Sequence, residues 1–245
     1  MPPSASEIKS GPLTATLASR TPLGAGVVDL VFAMREPARL EFLPGQFVSV
    51  QIGEIGGVAK KRSYSIASPG DAGDRLRFVI RTIPDGAATD FLLTLPVGAE
   101  VRMTGPHGFF VLDAEHPGDI VFGATGTGLA AIMPMLEELA RRPIAGRRRL
   151  YWGARHAEDL FAREEVAELC RKSNTELNEV LSAPPADWSG GRGRITQALV
   201  DLLPALHQPT FYLVGNGAMI GDVKRELMAR GIDRKRQIRT EAFFD

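Results

Sequence analysis

The first half of the chain alternates short apolar runs with turn residues. Residues 27–32 and 47–52 are rich in β-branched and aromatic side chains and have the length of strands. Residues 76–81 alternate apolar with charged positions, as a strand with one buried face does. Pro-Gly and Pro-Asp-Gly sequences separate these runs. Residues 11–115 are therefore predicted to form an antiparallel β-barrel or sandwich.

The pattern changes after residue 117. Apolar runs of strand length now alternate with segments whose apolar residues recur every three or four positions, as on one face of a helix. Strands are predicted at residues 120–123, 148–152, 175–181 and 210–214, and helices at residues 129–142, 157–171, 195–203 and 218–230. This alternation indicates a doubly wound parallel α/β sheet. We therefore expect two domains, residues 1–115 and residues 116–245.

The amino-acid composition argues against several classes of binding site and function. Lys plus Arg and Asp plus Glu both number 29, so the formal net charge is zero and general nucleic-acid binding gains no support. Cys170 is the sole cysteine, which excludes an internal disulfide and a cysteine-ligated iron–sulfur cluster. The four histidines lack metal-ligand spacing, so no metal site is expected. With no apolar run near ~20 residues and no signal pattern, we expect a cytoplasmic protein without a membrane partner.

One short motif in the first half, Arg62-Ser63-Tyr64-Ser65, combines residue types that suit a phosphorylated ring ligand. Alternation along a strand places Arg62 and Tyr64 on the same face. An arginine offers a charged donor fork to phosphate, and a tyrosine ring can stack on a flat ring system. Taken alone, however, the tetrapeptide is more typical of an exposed arginine beside an aromatic residue in a barrel strand.

The segments on either side of this motif favour the interpretation as a ligand site. Leu43-Pro44-Gly45-Gln46-Phe47 precedes it, and residues 79–81, 85–92 and 104–108 follow it. In this order the segments resemble the flavin half of the ferredoxin–NADP(+) reductase superfamily, and the resemblance extends over nearly the whole chain. It implies a flavin site that includes Arg62, Ser63, Tyr64, Ser65, Val79, Arg81, Gly86, Ala87, Ala88 and Thr89.

The resemblance also implies which flavin is bound. In residues 86–89, backbone N–H groups and the Thr89 hydroxyl would hold a pyrophosphate, since small residues let the backbone approach an anion closely. A pyrophosphate belongs to an adenine-bearing flavin, so FAD is expected rather than FMN. Residues 104–108 resemble a turn that closes the barrel, with His107 as a turn residue near the adenine side rather than a proton donor.

The second half opens with a glycine-rich turn, Gly123-Ala124-Thr125-Gly126-Thr127-Gly128. It follows a predicted strand and starts a predicted helix, where backbone N–H groups would face a nucleotide pyrophosphate. The turn is neither a G-x-G-x-x-G fingerprint nor a P-loop, and it resembles the nucleotide turn of the same superfamily. So do residues 152–161, 213–219 and 239–243. The implied nicotinamide-nucleotide residues are Thr125, Gly126, Thr127, Gly128, Arg155, Asn216 and Met219, although Met219 also suits a core position.

Two departures from the superfamily pattern concern this half. The family's cysteine before Gly-Asn is Val214 here, and its loss is expected to affect fast or reversible hydride transfer. NADPH users often carry an arginine after the serine that corresponds to Ser182, whereas this chain has Ala183. We therefore expect a slight preference for NADH over NADPH, although Arg155, Arg192 and Arg194 remain available to a 2′-phosphate.

The resemblance implies an FAD-dependent oxidoreductase that takes a hydride from NAD(P)H and passes electrons singly to a separate ferredoxin or flavodoxin. Lys60, Lys61 and Arg62 are candidates for docking such an acidic partner, whereas residues 234–236 are interpreted as ordinary solvated charges. The residues expected at the reacting rings are Tyr64, Ser65, Val214, Glu241 and Phe243. Phe243 or Phe244 is also a candidate to cover the flavin face where the nicotinamide must sit.

Four alternatives stay open. The protein could be an NAD(P)H:flavin reductase that releases reduced flavin, or the reductase component of an oxygenase system with a separate iron–sulfur protein. It could also be an electron-transfer subunit of a larger complex, although such family members carry C-terminal cysteines that this chain lacks. A nucleotide-binding regulatory module without redox activity is the alternative that the full set of cofactor segments least supports.

Overall fold

The computed structural model describes residues 7–24, 26–113, 118–142 and 144–243. Within it the chain separates into two units, Met1–Leu112 and Asp113–Asp245. The first unit is built on an antiparallel sheet and the second on a parallel sheet.

Six antiparallel strands make the first unit. They are β1 (Gly11–Gly24), β2 (Val27–Glu36), β3 (Phe47–Ile55), β4 (Val58–Ser65), β5 (Arg75–Arg81) and β6 (Glu100–His107), in the spatial order β4-β3-β6-β1-β2-β5. Alternate residues point inward, so that Leu13, Ala15 and Leu17 of β1 are buried in the core. The sheet curves until its two edge strands meet, with the ring centroids of Tyr64 and Phe78 6.1 Å apart. The predicted barrel-like antiparallel fold is confirmed.

A helix that the strand-rich pattern did not predict interrupts this unit. It is α1 (Ala87–Thr94), between β5 and β6. Leu92 is fully buried and Phe91 packs against the same core, so tertiary packing sustains a helix of only eight residues. The expected turn at residues 104–108 also differs, because the backbone stays in β6 as far as His107. Gly105 pairs with Gly11, and His107 pairs with Phe47.

The second unit alternates strands with helices, as predicted. Its strands are β7 (Ile120–Thr125), β8 (Arg148–Ala154), β9 (Thr175–Leu181), β10 (Gly191–Arg192), β11 (Thr210–Asn216) and β12 (Ile238–Phe243). The helices are α2 (Leu129–Arg141), α3 (Arg163–Lys172), α4 (Ile195–Asp201), α5 (Gly217–Ala229) and α6 (Arg234–Gln237). All neighbouring strands are parallel, in the order β10-β9-β8-β7-β11-β12.

Two helix boundaries differ from the expected ones. The helix predicted at residues 157–171 begins only at Arg163, because a separate 3-10 turn, capped reciprocally by His156 and Asp159, ends before it. Leu160 and Phe161 are then buried, and Ala162 adopts a left-handed conformation with φ +46°. The helix predicted at residues 195–203 ends at Asp201, where a 3-10 turn containing Pro204 follows.

Helices pack against the parallel sheet. α4 and α5 pack on the face that carries Val121, Phe211 and Leu213. The opposite face carries Phe122 and Tyr212, whose rings lie 5.4 Å apart. Across the described ranges, no helix combines the length and the apolar character needed to cross a membrane.

Candidate functional site

Strand β4 carries the candidate flavin residues of the Arg-Ser-Tyr-Ser motif. Arg62 is exposed and donates from Nη1 to the carbonyl oxygen of Lys61 at 2.9 Å. The Tyr64 ring is half-buried and rests on Phe78 with 29° between the ring planes. Burial raises the pKa of Tyr64 to about 12, an effect that the nearby Arg62 charge only partly offsets. The phenol is therefore held neutral and supported from within the barrel, while Ser65 is buried beside it.

The first turn of α1 carries a set of free backbone donors. Gly86 is the N-cap and provides no side-chain acceptor, so the first-turn N–H groups of Ala87, Ala88 and Thr89 have no partner within the helix. The Thr89 hydroxyl accepts the N–H of Ile83 at 3.0 Å and keeps its own hydrogen for donation. A Cβ on Gly86 would lie 2.9 Å from the Ile83 carbonyl oxygen, so only glycine fits there unchanged. This donor set fits a pyrophosphate.

Two further candidates lie at the end of β5. Val79 is buried, whereas Arg81 is exposed at the last position of the strand, opposite Val27. Both precede the loop that leads into α1. Strand β5 therefore places the exposed Arg81 side chain just before the loop that leads to the N–H donors of α1.

Gln46 and His107 have structural partners. Gln46 is 2% exposed; its Oε1 accepts the N–H of Leu43 at 2.9 Å and its Nε2 donates to the Gly108 carbonyl oxygen at 3.2 Å. The His107 ring nitrogens lie 3.2 Å from Ser10 Oγ and 3.3 Å from Thr104 Oγ1. These contacts hold the strand ends against neighbouring segments.

In the second unit, the candidate nucleotide residues gather at the carboxyl edge of the parallel sheet. Thr125 ends β7 and Asn216 ends β11, and these neighbouring strands mark the point where the strand order reverses. Ligands of open α/β sheets bind at this switch point. The Asn216 N–H donates to Thr125 Oγ1 at 3.0 Å. The sequence therefore located the residues that the topology brings together.

Glycines make this close approach of the two strand ends possible. Gly215 has φ +118°, and a Cβ there would lie 2.3 Å from Thr125 Oγ1. A Cβ on Gly128 would lie 2.9 Å from both Gly215 Cα and the Val214 carbonyl oxygen. Gly126, Thr127 and Gly128 form a 3-10 turn without a side-chain cap that leads directly into α2. The N–H groups of Gly126 and Thr127, which begin this turn, have no partner within it and again fit a phosphate.

Three candidates at this edge have structural roles as well. Asn216 Oδ1 caps α5 by accepting the N–H groups of Ala218 and Met219 at 3.0 and 3.1 Å. Met219 belongs to the core that α5 shares with α4. Val214 is fully buried and pairs with Ala124 on one side and Glu241 on the other. At Val214 the chain therefore has a buried aliphatic side chain where the superfamily has a thiol.

The loop between β9 and α4 is fastened by several contacts, which sequence inspection did not reveal. Arg163 binds Glu179 through two hydrogen bonds of 2.9 and 2.5 Å, and its guanidinium carbon lies 5.5 Å from the Trp188 ring centroid. Trp188 Nε1 donates to the Gly191 carbonyl oxygen at 3.1 Å. Arg192 donates to the carbonyl oxygens of Ala186 and Trp188 at 2.9 and 2.7 Å. Arg192 is thus engaged within this loop.

The remaining candidates are distributed around the two units. Arg155 and Arg194 are exposed next to the β8 and β10 ends, and Phe243 is half-buried at the end of β12, paired with Asn216. Phe244 lies outside the described residues. Lys61 is exposed and Lys60 half-buried on β4, an edge strand of the antiparallel sheet. In the parts of the chain that the structure describes, no cluster of histidine, cysteine and acidic residues is arranged to hold a metal ion.

Two family models match the chain, one in each unit. Residues 14–112 match the oxidoreductase FAD-binding domain, and residues 122–225 match the oxidoreductase NAD-binding domain. These ranges include the free N–H donors of α1 and those of the turn before α2. Each donor set therefore lies within one of the two matched domains.

Named relatives and a solved structure show the same likeness. The chain is 34% identical over 228 residues to ferredoxin–NADP reductase B of Sorangium cellulosum, which covers 93% of this chain and 89% of that protein. It is 37% identical over 188 residues to methane monooxygenase component C of Methylosinus trichosporium, covering 75% of this chain and about half, 53%, of that protein. The crystal structure of Amycolatopsis cytochrome P450 reductase GcoB matches with a TM-score of 0.84 at 30% identity, covering 96% of this chain and 71% of that one.

Proposed function

The chain belongs to the ferredoxin–NADP reductase family and is an NAD(P)H-dependent flavoprotein reductase, and from this premise we propose that it supplies single electrons to a separate ferredoxin or flavodoxin. When bound, the nicotinamide donates a hydride and the FAD accepts it and can release the electrons one at a time. The protein contributes binding, orientation and exclusion of water. We assign FAD binding to residues 1–115 and NAD(P) binding to residues 116–245.

The observation that carries this proposal is the pair of free N–H donor sets. The first-turn donors of α1 would hold the FAD pyrophosphate, with Arg62 as a charged donor fork. Tyr64, fixed by Phe78, would orient the flavin ring, and Ser65 would hydrogen-bond near its reactive nitrogen. Thr125 and the turn that ends at Gly128 would hold the nicotinamide nucleotide. One chain thereby binds both the donor and the acceptor of a hydride.

We propose NADH as the preferred nucleotide. Ala183 follows Ser182 where NADPH users of the family often carry an arginine, and Arg192 already donates to two carbonyl oxygens of its own loop. Arg155 and Arg194 remain exposed, so we expect NADPH to be accepted as well, with lower affinity. Phe243 at the end of β12 stays our candidate for covering the flavin face, and a cytoplasmic location stays a prediction from the sequence.

The acceptor proposal is tested by reversing charges on β4. Changing both Lys60→Glu and Lys61→Glu should slow reduction of an acidic ferredoxin about tenfold at low ionic strength, because charge complementarity raises the rate of encounter. Reduction of a small neutral dye should not change. Lys235→Glu, in the short helix α6, is the matched control and should leave both rates unchanged. Equal slowing of both acceptors by the Lys60/Lys61 variant would contradict docking at β4.

A second candidate function follows from the similarity to methane monooxygenase component C. In that case the protein would be the reductase of an oxygenase system. Cys170 is buried and alone, so the iron–sulfur centre of such a system would have to lie outside this sequence. Comparing electron delivery to isolated ferredoxins and to oxygenase components distinguishes the two roles.

A further inference from the structure

Helix α1 is held at its C-terminal end by a residue from a distant strand. Arg20, on β1, donates from Nη2 to the carbonyl oxygen of Leu92 at 3.1 Å and to that of Leu95. The last turn of α1 contains no basic residue of its own. Arg20 therefore provides both the donors and the positive charge that a helix C-terminus requires.

The guanidinium is committed to this contact. Arg20 is half-buried, and among the described residues its Nε has no hydrogen-bond partner although the atom is buried. Burying an unsatisfied N–H group is costly, so the position is maintained by the contacts that the rest of the side chain makes. Its hydrogen bonds go to the carbonyl groups of Leu92 in α1 and of the C-cap residue Leu95.

A helix as short as α1 depends on such anchoring. Isolated helices of this length are marginal in water, and α1 has no side-chain cap at its N-terminus. Leu92 fixes the helix to the barrel core, and Arg20 binds the carbonyl groups of Leu92, in the last turn, and of the C-cap residue Leu95. The packing of Leu92 and the hydrogen bonds of Arg20 together fix the direction of the helix axis, and therefore the direction in which the first-turn N–H groups point.

We propose that Arg20 is a positioning residue for the FAD pyrophosphate, acting through α1 from the end opposite the anion. The inference rests on the proposed function, in which the N–H groups of Ala87, Ala88 and Thr89 bind that pyrophosphate. It concerns the phosphate part of the ligand alone, since the hydrogen bonds of Arg20 go to the C-terminal end of α1, at Leu92 and Leu95.

The test compares flavins with and without the pyrophosphate. In titrations of the FAD-free protein followed by flavin fluorescence, Arg20→Met should weaken FAD binding about tenfold, within the range of helix-terminus effects. Binding of riboflavin should not change, and Arg20→Lys should restore most of the FAD affinity. Arg102→Met, an exposed arginine on the adjacent strand β6, is the matched control and should bind both flavins as the wild type does.

Hydrogen exchange supplies a readout that does not depend on any flavin. In the FAD-free protein, Arg20→Met should speed amide exchange in Ala87–Thr94 while β3 and β6 keep wild-type protection. Unchanged exchange in α1, or an equal loss of FAD and riboflavin affinity, would overturn the proposal. If the wild-type protein itself bound no FAD, the proposed function would fail instead, and exchange in α1 would still decide whether Arg20 anchors the helix.

Discussion

At the residue scale, the buried carboxylate of Asp119 joins two loops at the start of the central strand β7. Its oxygens accept the N–H groups of Arg147 and His207 at 2.8 and 2.9 Å, and the Arg147 guanidinium lies 3.6 Å away. Burial acts to raise the pKa of this carboxyl, but the two N–H donors and the charges of Arg147 and Arg149 together outweigh it. The pKa therefore lies below its ordinary value of 3.8.

We predict that Asp119→Asn lowers the free energy of unfolding by about 2 kcal/mol at neutral pH, since hydrogen bonds to a charged group are lost. Because the folded pKa is depressed, the carboxylate stabilises the fold above the unfolded pKa, and this contribution is lost as the pH falls through the folded value. The difference between wild type and variant should therefore shrink in acid. Urea unfolding at a series of pH values measures it, with exposed Asp187→Asn as the control. A difference independent of pH would rule out this role.

At the scale of elements, the approach of β7 to β11 depends on glycine. Gly215→Ala should destabilise the protein by about 3 kcal/mol, because alanine tolerates its φ of +118° poorly and the new Cβ would meet Thr125 Oγ1. Gly221 in α5 is the matched control, since no atom lies within 4 Å of a Cβ there. Gly221→Ala should stabilise by about 0.5–1 kcal/mol through helix propensity. Thermal unfolding checks both, and similar midpoints for the two variants would contradict the close approach.

The fastened loop after β9 leads to a kinetic prediction. Trp188→Ala removes the ring beside Arg163 and the hydrogen bond to Gly191. In this variant the free energy of ordering the loop must be supplied by nucleotide binding, which lowers the affinity. We expect KM for NADH to rise about tenfold while kcat changes less than about twofold, the pattern for lost binding that is equal in ground and transition states. Trp188→Phe keeps a ring and should give an intermediate KM. A fall in kcat at unchanged KM would show that the loop acts in another way.

The sequence predicted the elements whose patterns are local. Alternation predicted β5, and helical spacing predicted α2 and α5. The buried residues of α5 lie on one face, whereas residues 129–136 of α2 are all buried. Helix α1 escaped prediction since it is short, lacks a Ser or Asp cap and is stabilised by packing of Leu92 against distant strands. The same distinction holds at the site. Motifs located Thr125 and Gly128, whereas the contact of Arg20 with Leu92 joins residues 72 positions apart and leaves no local signal.

At the scale of the whole molecule, the proposed electron transfer requires two donor sets in one chain. The first unit carries free N–H groups at α1, and the second carries them before α2. Loss of either cofactor should abolish electron transfer, because the flavin and the nicotinamide supply the redox chemistry and the protein binds and orients them. In β11, the buried aliphatic residue Val214 stands where the family has a cysteine.

Hydride transfer from a nicotinamide to a bound flavin can be observed in the visible absorption spectrum of the purified protein, recorded before and after anaerobic addition of NADH or NADPH to matched samples. We expect a flavin spectrum, present on isolation or after addition of FAD, that bleaches with both nucleotides and faster with NADH. A protein that neither contains nor binds FAD, or whose bound FAD is not bleached by either nucleotide, would contradict this hydride transfer.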